Sequence, residues 1–322
     1  MTPGPIPDGG REQTDGSPHG PASGSPEVCA TTRPTLRQDF HASASVIVVG
    51  GVAVDIVTSL PRPLTPGGFV QAAATAERIG GCAVNIATGL TGAGCACVLV
   101  GCVGTDARGK WLRTELAERG LETRIRAVPG ATPASLIMVE PSGERTIVGL
   151  TDDLLSEIDM ASISLGSHDV VVFPQWRPGF GDELARARAA GCRTVVGLRA
   201  LQDPAAPEAD LAIGSSTEVA DPSTLRSQLH RFGAIVVTEG ALGSRAYLPT
   251  GDTHVRPAAA ASPIDATGAG DAYLAGLVHQ WTHGVSLPRA MDVATVWGAL
   301  ATERRTSTPP PWSDVQRRLN PT

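Results

Sequence analysis

Apolar residues first gather in "SVIVVGGVAVDIV", Ser45 to Val57, with hardly a polar break. Continuous runs of this kind belong to strands buried on both faces. The next stretch, "LPRPLTPGGFVQAAATAERIGG", breaks the pattern and resumes with small residues. "AVNIATGLTGAG" then has helical spacing, with Val84, Ile86, Ala87 and Leu90 on one side. "CACVLVGCVG" reads as a strand and "GKWLRTELAERG" as an amphipathic helix closed by Gly120. "ASLIMVEPSGERTIVGL" predicts a hairpin, two apolar runs around Pro141–Gly143.

From there the alternation is regular. "DVVVF", "RTVVGL", "ADLAIGSS" and "AIVVTEG" read as strands, with helices predicted at "GDELARARAAG" and "DPSTLRSQLHRFG". "SRAYLP" and "THVRPA" suggest a second hairpin. "DAYLAGLVHQWTHG" and "LPRAMDVATVWGALATERR" are the closing helices. Strands alternating with helices imply an α/β fold whose mostly parallel sheet is covered on both faces. The early hairpin does not fit that rhythm and is expected to stand out as a small β lid. Residues 1–43 are rich in Pro, Gly and Ser, too poor in apolar surface to offset their ordering entropy, and read as a flexible tail.

Composition narrows the function classes. The 322 residues are 42% hydrophobic with net charge −6, enough for one large α/β domain or two smaller ones. Mild acidity without a basic run argues against nucleic acid as a partner. No stretch approaches the ~18 apolar residues of a membrane span, and no apolar signal region opens the chain. The six cysteines come without a His cluster. Three of them, Cys95, Cys97 and Cys102 in "GCACVLVGC", read as buried free thiols, which fits a reducing cytoplasm.

Chemistry concentrates in "SPIDATGAGDAYLAG", Ser262 to Gly276. Gly268 and Gly270 stand before an apolar helix, where backbone N–H groups lack intrahelical partners. Such a turn makes an anion pocket. Asp271 would repel a phosphate unless it has another task, such as accepting the proton of an attacking hydroxyl. An Asp at this point also suits a helix cap. A decoy lies in "GTDARGKW", which has the G-x-x-x-x-G-K spacing, but Trp111 follows where Mg²⁺ would need Ser or Thr. His279 and His283 are one helical turn apart with no further ligand in view.

"DATGAGDAYLAG" resembles the C-terminal signature of the ribokinase-like (PfkB) carbohydrate kinases, with Ala266 where the family usually has Thr. "GGCAVNIATGLTGAG" followed by "VGCVGTDARG" resembles the N-terminal signature. The resemblance implies a three-layer α/β/α sandwich at residues 44–322 with a small β-sheet lid from about 57–79 and 123–150. It implies transfer of the γ-phosphoryl of ATP to a hydroxymethyl group of a small sugar. Asp271 would be the base, and Gly268, Ala269 and Gly270 the anion hole. Asp55, Gly80, Gly81 and Asn85 would hold acceptor hydroxyls. Thr238, Gly240 and Gly243 in "VTEGALG", with Thr267, would meet ATP. Glu218 in "SSTEV" would organise Mg²⁺ through water, although Ser215 replaces the family's Asn. Asp265 is offered as a ligand for a monovalent cation. The matching segment "ERRTSTPPPW" lacks the usual glycine-containing run, so K⁺ dependence stays open. Lids of this family often pair between subunits, which extends the expectation to a homodimer.

Three alternatives remain at this point. A nucleoside would need an aromatic platform, for which Trp176 and Phe69 are the candidates. A cyclitol is sugar-like enough to fit. A non-catalytic binder is suggested by Ala266 and Ser215, against which stands the retention of Asp271. A dinucleotide oxidoreductase is disfavoured, because "VVGGVAVD" lacks G-x-G-x-x-G after the first strand.

Overall fold

The computed structural model describes residues 44–219 and 221–320, so the tail assigned to residues 1–43 lies outside the described residues. The first apolar run does not form one strand. β1 is Val46–Val49, and β2, Ala53–Ser59, belongs to a different sheet. The break falls where the backbone is crowded. A Cβ on Gly50 would stand 3.1 Å from that of Ala83, and one on Gly51 would stand 2.7 Å from Gln175 Oε1.

In chain order follow β3 (Ala74–Gly80), α1 (Cys82–Gly92), β4 (Cys97–Gly104), α2 (Ala107–Glu118), β5 (Glu122–Val128), β6 (Ala134–Val139) and β7 (Arg145–Gly149). Then come β8 (Val170–Phe173), α3 (Gly181–Ala189), β9 (Arg193–Gly197), β10 (Ala209–Ser215), β11 (Phe232–Thr238), β12 (Ser244–Tyr247) and β13 (Thr253–Arg256). α4 (Ala269–Thr282), α5 (Leu287–Thr302) and α6 (Trp312–Leu319) complete the described chain. The large sheet has nine strands in the order β13-β12-β11-β10-β9-β8-β1-β4-β5. It is parallel from β11 to β5, with β12 and β13 added as an antiparallel hairpin. The small sheet has four strands in the order β3-β2-β6-β7, so the hairpin read from the sequence is its β6–β7 edge.

Three expectations need correction. The second lid segment, drawn from residue 123, begins at β6, because β5 pairs in parallel with β4 as an edge of the large sheet. Ile125 turns its side chain to the core while Glu122 and Arg126 face water. "DPSTLRSQLHRFG" forms two short 3-10 turns, Pro222–Thr224 and Arg226–His230, rather than an α-helix. There Asp221 accepts from Ser223 N, and the hydroxyls of Thr224 and Ser227 donate to Asp221 O and Thr224 O. Such local bonds compete with an α-helical backbone. Finally, α6 was not anticipated: its turn follows three prolines, and only Val315 of it is fully buried.

Alternation along β1 divides the core. Val46 and Val48 point to one face with α1, α2, α4 and α5, whereas Ile47 and Val49 point to the other with α3. On the first face Gly276 of α4 lies against α5, where an added Cβ would be 3.0 Å from Ala294 Cα and 3.2 Å from Trp297. Trp297 is fully buried and its indole N–H donates to Pro310 O at 2.9 Å. Trp297→Ala is expected to cost about 3–5 kcal/mol through the cavity it leaves. A thermal melt checks this, and an unchanged melting temperature would show the helix pair does not depend on that ring.

Candidate active site

Ligands of open α/β sheets sit beyond the carboxyl ends of the parallel strands. Here those ends carry Gly50 and Gly51 after β1, Gln175 after β8, Ser215 closing β10 and Thr238 closing β11. The small sheet stands over part of this edge. Between them lies a cleft of about 540 Å³ whose wall includes Asp55, Gly81, Asn85, Gly268, Gly270 and Asp271.

The turn before α4 is built by its own side chains. Asp265 and Thr267 are buried, and Thr267 donates to Asp265 Oδ1 from its N–H (2.8 Å) and its hydroxyl (2.6 Å). The amides of Ile264 and Asp265 donate to Thr302 O at 2.7 and 3.0 Å, anchoring the loop on α5. Gly268 then takes φ 79°, ψ 0°, in the left-handed region, and caps the helix. A Cβ there would overlap the carbonyl of Ser307. Gly270 has open space where a side chain would stand, so the backbone itself forms the cleft wall. Of the amides expected to hold an anion, that of Ala269 donates across 3.3 Å to Ala266 O, and Ala269 is not part of the wall.

Asp271 is half-buried in the first turn of α4, and Asn85 Nδ2 donates to its Oδ2 at 2.7 Å. Burial pushes its carboxyl up to about 7; the Asn85 hydrogen bond opposes this, Asp55 adds to it, and Arg145 opposes it. Asp55 lies within β2. Its carboxyl is raised by burial, with Arg78 directly across the β2–β3 ladder opposing. Gly80 is required by closeness, since a Cβ there would overlap the Asp55 carboxylate. Gly81, at φ 100°, would likewise overlap Gly51 O.

The remaining expected residues lie beside this cleft rather than in its wall. Ser215 and Thr238 are paired across β10 and β11, and Thr238 Oγ1 donates to Gly214 O at 3.2 Å. Glu218 Oε1 accepts from Ser215 N at 2.8 Å, while Ser215 Oγ accepts from Thr217 N at 3.3 Å, so this pair caps the turn after β10. Gly240 and Gly243 bracket the next turn with φ 58° and 99°; a Cβ on Gly243 would overlap Arg256 O. The two regions share a field. The Cys82 thiol is pushed well up by burial first, then by Asp271, with Glu218 contributing too.

Several wall residues carried no sequence signal. Arg145 of β7, Gln175, Asp153 and Ser307 all line the cleft. Gln175 Oε1 accepts from Gly51 N at 3.3 Å, and Asp153 is paired with Arg177. The aromatic candidates do not reach it. Trp176 is buried, donates to Asp203 Oδ2 at 2.9 Å and packs on Phe173 and Phe180. Phe69 is 78% exposed and lies off the wall. At the decoy, Asp106 caps α2 by accepting from Gly109 N at 2.9 Å and also accepts from Thr132 N at 3.0 Å. A carboxylate thus stands where a phosphate would need donors. His279 and His283 stack with each other, and His279 also stacks on Trp312, holding α6 on α4. Burial, then His283, pushes the His279 imidazole down to about 4.

Comparison with known sequences decides the family. The profile described as "pfkB family carbohydrate kinase" matches residues 43–314. The chain belongs to the pfkB family of carbohydrate kinases. It is therefore a phosphotransferase with an alcohol group as acceptor, and membership implies ATP as the donor. Among curated pfkB relatives, an ATP-dependent ribose-1-phosphate kinase of Halopiger xanaduensis is 26% identical over 286 residues, 84% of this chain and 96% of that protein. An acarbose 7(IV)-phosphotransferase of Actinoplanes sp. is 27% identical over 273 residues, 80% of this chain and 91% of that one. Among solved structures, ribokinase from Giardia lamblia superposes with a TM-score of 0.75 at 18% identity, covering 86% of this chain and 99% of that one. The ribokinase-like sandwich is thereby established as the fold. Among the described residues of this pfkB protein, no helix is long and apolar enough to cross a membrane.

Proposed function

We propose that this kinase transfers the γ-phosphoryl group of ATP to a hydroxymethyl group of a small sugar, with Asp271 as general base. The observation that carries this is the position of Asp271: a carboxylate at the cleft wall, in the first turn of α4, with its pKa raised to about 7. Asn85 fixes Oδ2, which leaves Oδ1 to take the acceptor's proton. The acceptor oxygen then forms a bond to the γ-phosphorus as the bond to the ADP oxygen breaks, and the proton ends on Asp271. In this reading the backbone N–H groups of Gly268 and Gly270, at the cleft wall, meet the charge that gathers on the migrating group, while that of Ala269 is engaged by Ala266 O.

Asp55 and Asn85 suit vicinal hydroxyls, since a carboxylate and an amide offer paired acceptors and donors. A sugar is favoured over a nucleoside because the wall is made of small, aliphatic and polar side chains. Mg²⁺ commonly keeps several waters and uses one or two carboxylates plus phosphates. A lone Glu218 beside the β10–β11 nucleotide loops fits an ion carried in with ATP, and it would supply charge neutralisation there. Thr238, Gly240, Gly243 and Thr267 are assigned to ATP in this reading. Asp265, with Oδ1 engaged by Thr267, shapes the loop. The reading includes pairing of two chains through the small sheet, where Ile147 and Val148 of β7 are 53% and 41% exposed.

A panel of sugars, cyclitols and nucleosides assayed for ADP release tests the reading, with turnover expected on a sugar. Ligand binding without ADP release from any acceptor would instead identify a non-catalytic binder. In the same assay Asp55→Asn is expected to raise the acceptor KM about 10–100-fold, the loss of hydrogen bonds to a charged group, with the KM for ATP unchanged. A shift confined to ATP would assign Asp55 to the wrong substrate.

A further inference from the structure

Arg78 is a cation directly opposite Asp55 on the small sheet. The two residues are direct cross-strand partners on β3 and β2, so their side chains share a face. Arg78 reaches away from the sheet as well. Its Nη1 donates to Arg305 O at 3.1 Å, across 227 positions of sequence. Arg305 stands two residues before Ser307, whose carbonyl backs Gly268 in the turn before α4. That segment is wedged on its other side too, with Pro309 against Gly89 of α1 and Pro310 O bonded to Trp297. The Nε and Nη2 of Arg78 are buried and have no hydrogen-bond partner. A buried guanidinium rarely leaves two donors unused.

We propose that Arg78 is a positioning residue that couples the acceptor side of the cleft to the phosphate turn, holding Asp55 through its unused donors and Gly268 through the Arg305–Ser307 segment. This rests on the kinase reading above. When a sugar seats against Asp55, Nε and Nη2 turn to its carboxylate across the β2–β3 ladder, while Nη1 keeps its bond to Arg305 O and so the support of Gly268. Acceptor seating and the geometry of phosphoryl transfer are thereby linked by one side chain. The charge of Arg78 also holds down the Asp55 carboxyl, which burial raises. Asp271 of α4 interacts with Asp55, Arg145 of β7 interacts with Asp271, and Asp153 lines the same cleft.

Steady-state kinetics of Arg78→Met and Arg78→Lys test the assignment. Arg78→Met is expected to raise the acceptor KM by about tenfold or more and to lower kcat, with the KM for ATP little changed. The share of Asp55 in the acid limb of kcat/KM for the acceptor, separate from that of Asp271, should move to higher pH, because Asp55 loses the cation that favours its charged form. Arg78→Lys should return that limb toward its wild-type position. In an Asp55→Asn background the same Met substitution should raise the acceptor KM less than it does in wild type. An Arg78→Met enzyme with wild-type acceptor KM and pH profile overturns the proposal. Should the Met variant not fold, Arg78→Gln, which keeps a donor for Arg305 O without the charge, is read by the same criteria. A wild-type protein that phosphorylates no acceptor overturns the kinase reading and this assignment together. Normal turnover with a silent Arg78 overturns this assignment alone.

Discussion

Asp271→Asn is expected to lower kcat by about 10²–10⁴-fold, the usual contribution of a positioned general base, while the protein stays folded. Asn keeps the shape of the side chain and cannot take a proton. The fold should tolerate the change, because burial already disfavours the ionised carboxylate there. The sign of the pH dependence follows from the same shift. The base works only when ionised, and its pKa is raised to about 7. Activity should therefore rise with pH through about 7, reach a plateau above it, and fall as the carboxyl is protonated below it. An unperturbed Asp, near ~3.9, would give a flat profile across neutral pH. In the Asn variant the limb at neutral pH should vanish with the activity. A wild-type rate that does not change between about pH 5.5 and 8 would remove Asp271 from the role.

Gly268→Ala should be nearly as damaging, for a backbone reason. At φ 79° an alanine occupies the left-handed region, which costs roughly 1–2 kcal/mol, and its Cβ would overlap the carbonyl of Ser307. The turn has little room to relax, because Thr267 and Asp265 hold it from one side and Thr302 O from the other. Displacing the amides proposed to hold the transferred group should cost about 10²–10³-fold in kcat, the scale of a lost oxyanion donor. The melting temperature should drop as well. Gly270→Ala is the matched comparison, since a Cβ there meets nothing within 4 Å. It should melt like wild type. A Gly268→Ala enzyme with wild-type kcat would show that this turn does not hold the phosphoryl group.

Much of this was legible in the chain, and the parts that were not share a cause. The parallel strands announce themselves because both faces are buried, so β8 is wholly Val and Phe and β11 has Thr238 as its single polar side chain. The turn before α4 is legible because glycine and aspartate there obey local constraints: a left-handed φ at Gly268 and a first-turn carboxylate at Asp271. What stayed hidden depends on distant partners. The run from Ser45 to Val57 looks like one strand, and only the crowding of Gly50 and Gly51 against Ala83 and Gln175 divides it. β5 resembled part of the lid until its register with β4 assigned it to the large sheet. Arg145, Gln175 and Ser307 reach the cleft from three separate regions, and no spacing rule joins them. The 3-10 turns after Asp221 depend on a contest between side-chain and backbone acceptors that helical periodicity does not register.

The division of that first run has a mechanical consequence. The chain passes between the two sheets four times, after β1, after β3, after β5 and after β7. Gly51, Gly81, Pro133 and Thr151, one from each passage, all border the same hollow. Every covalent strap joining the two layers is therefore within reach of a molecule that fills the hollow. The shape of that hollow is thus set by the connections between the layers as well as by the side chains.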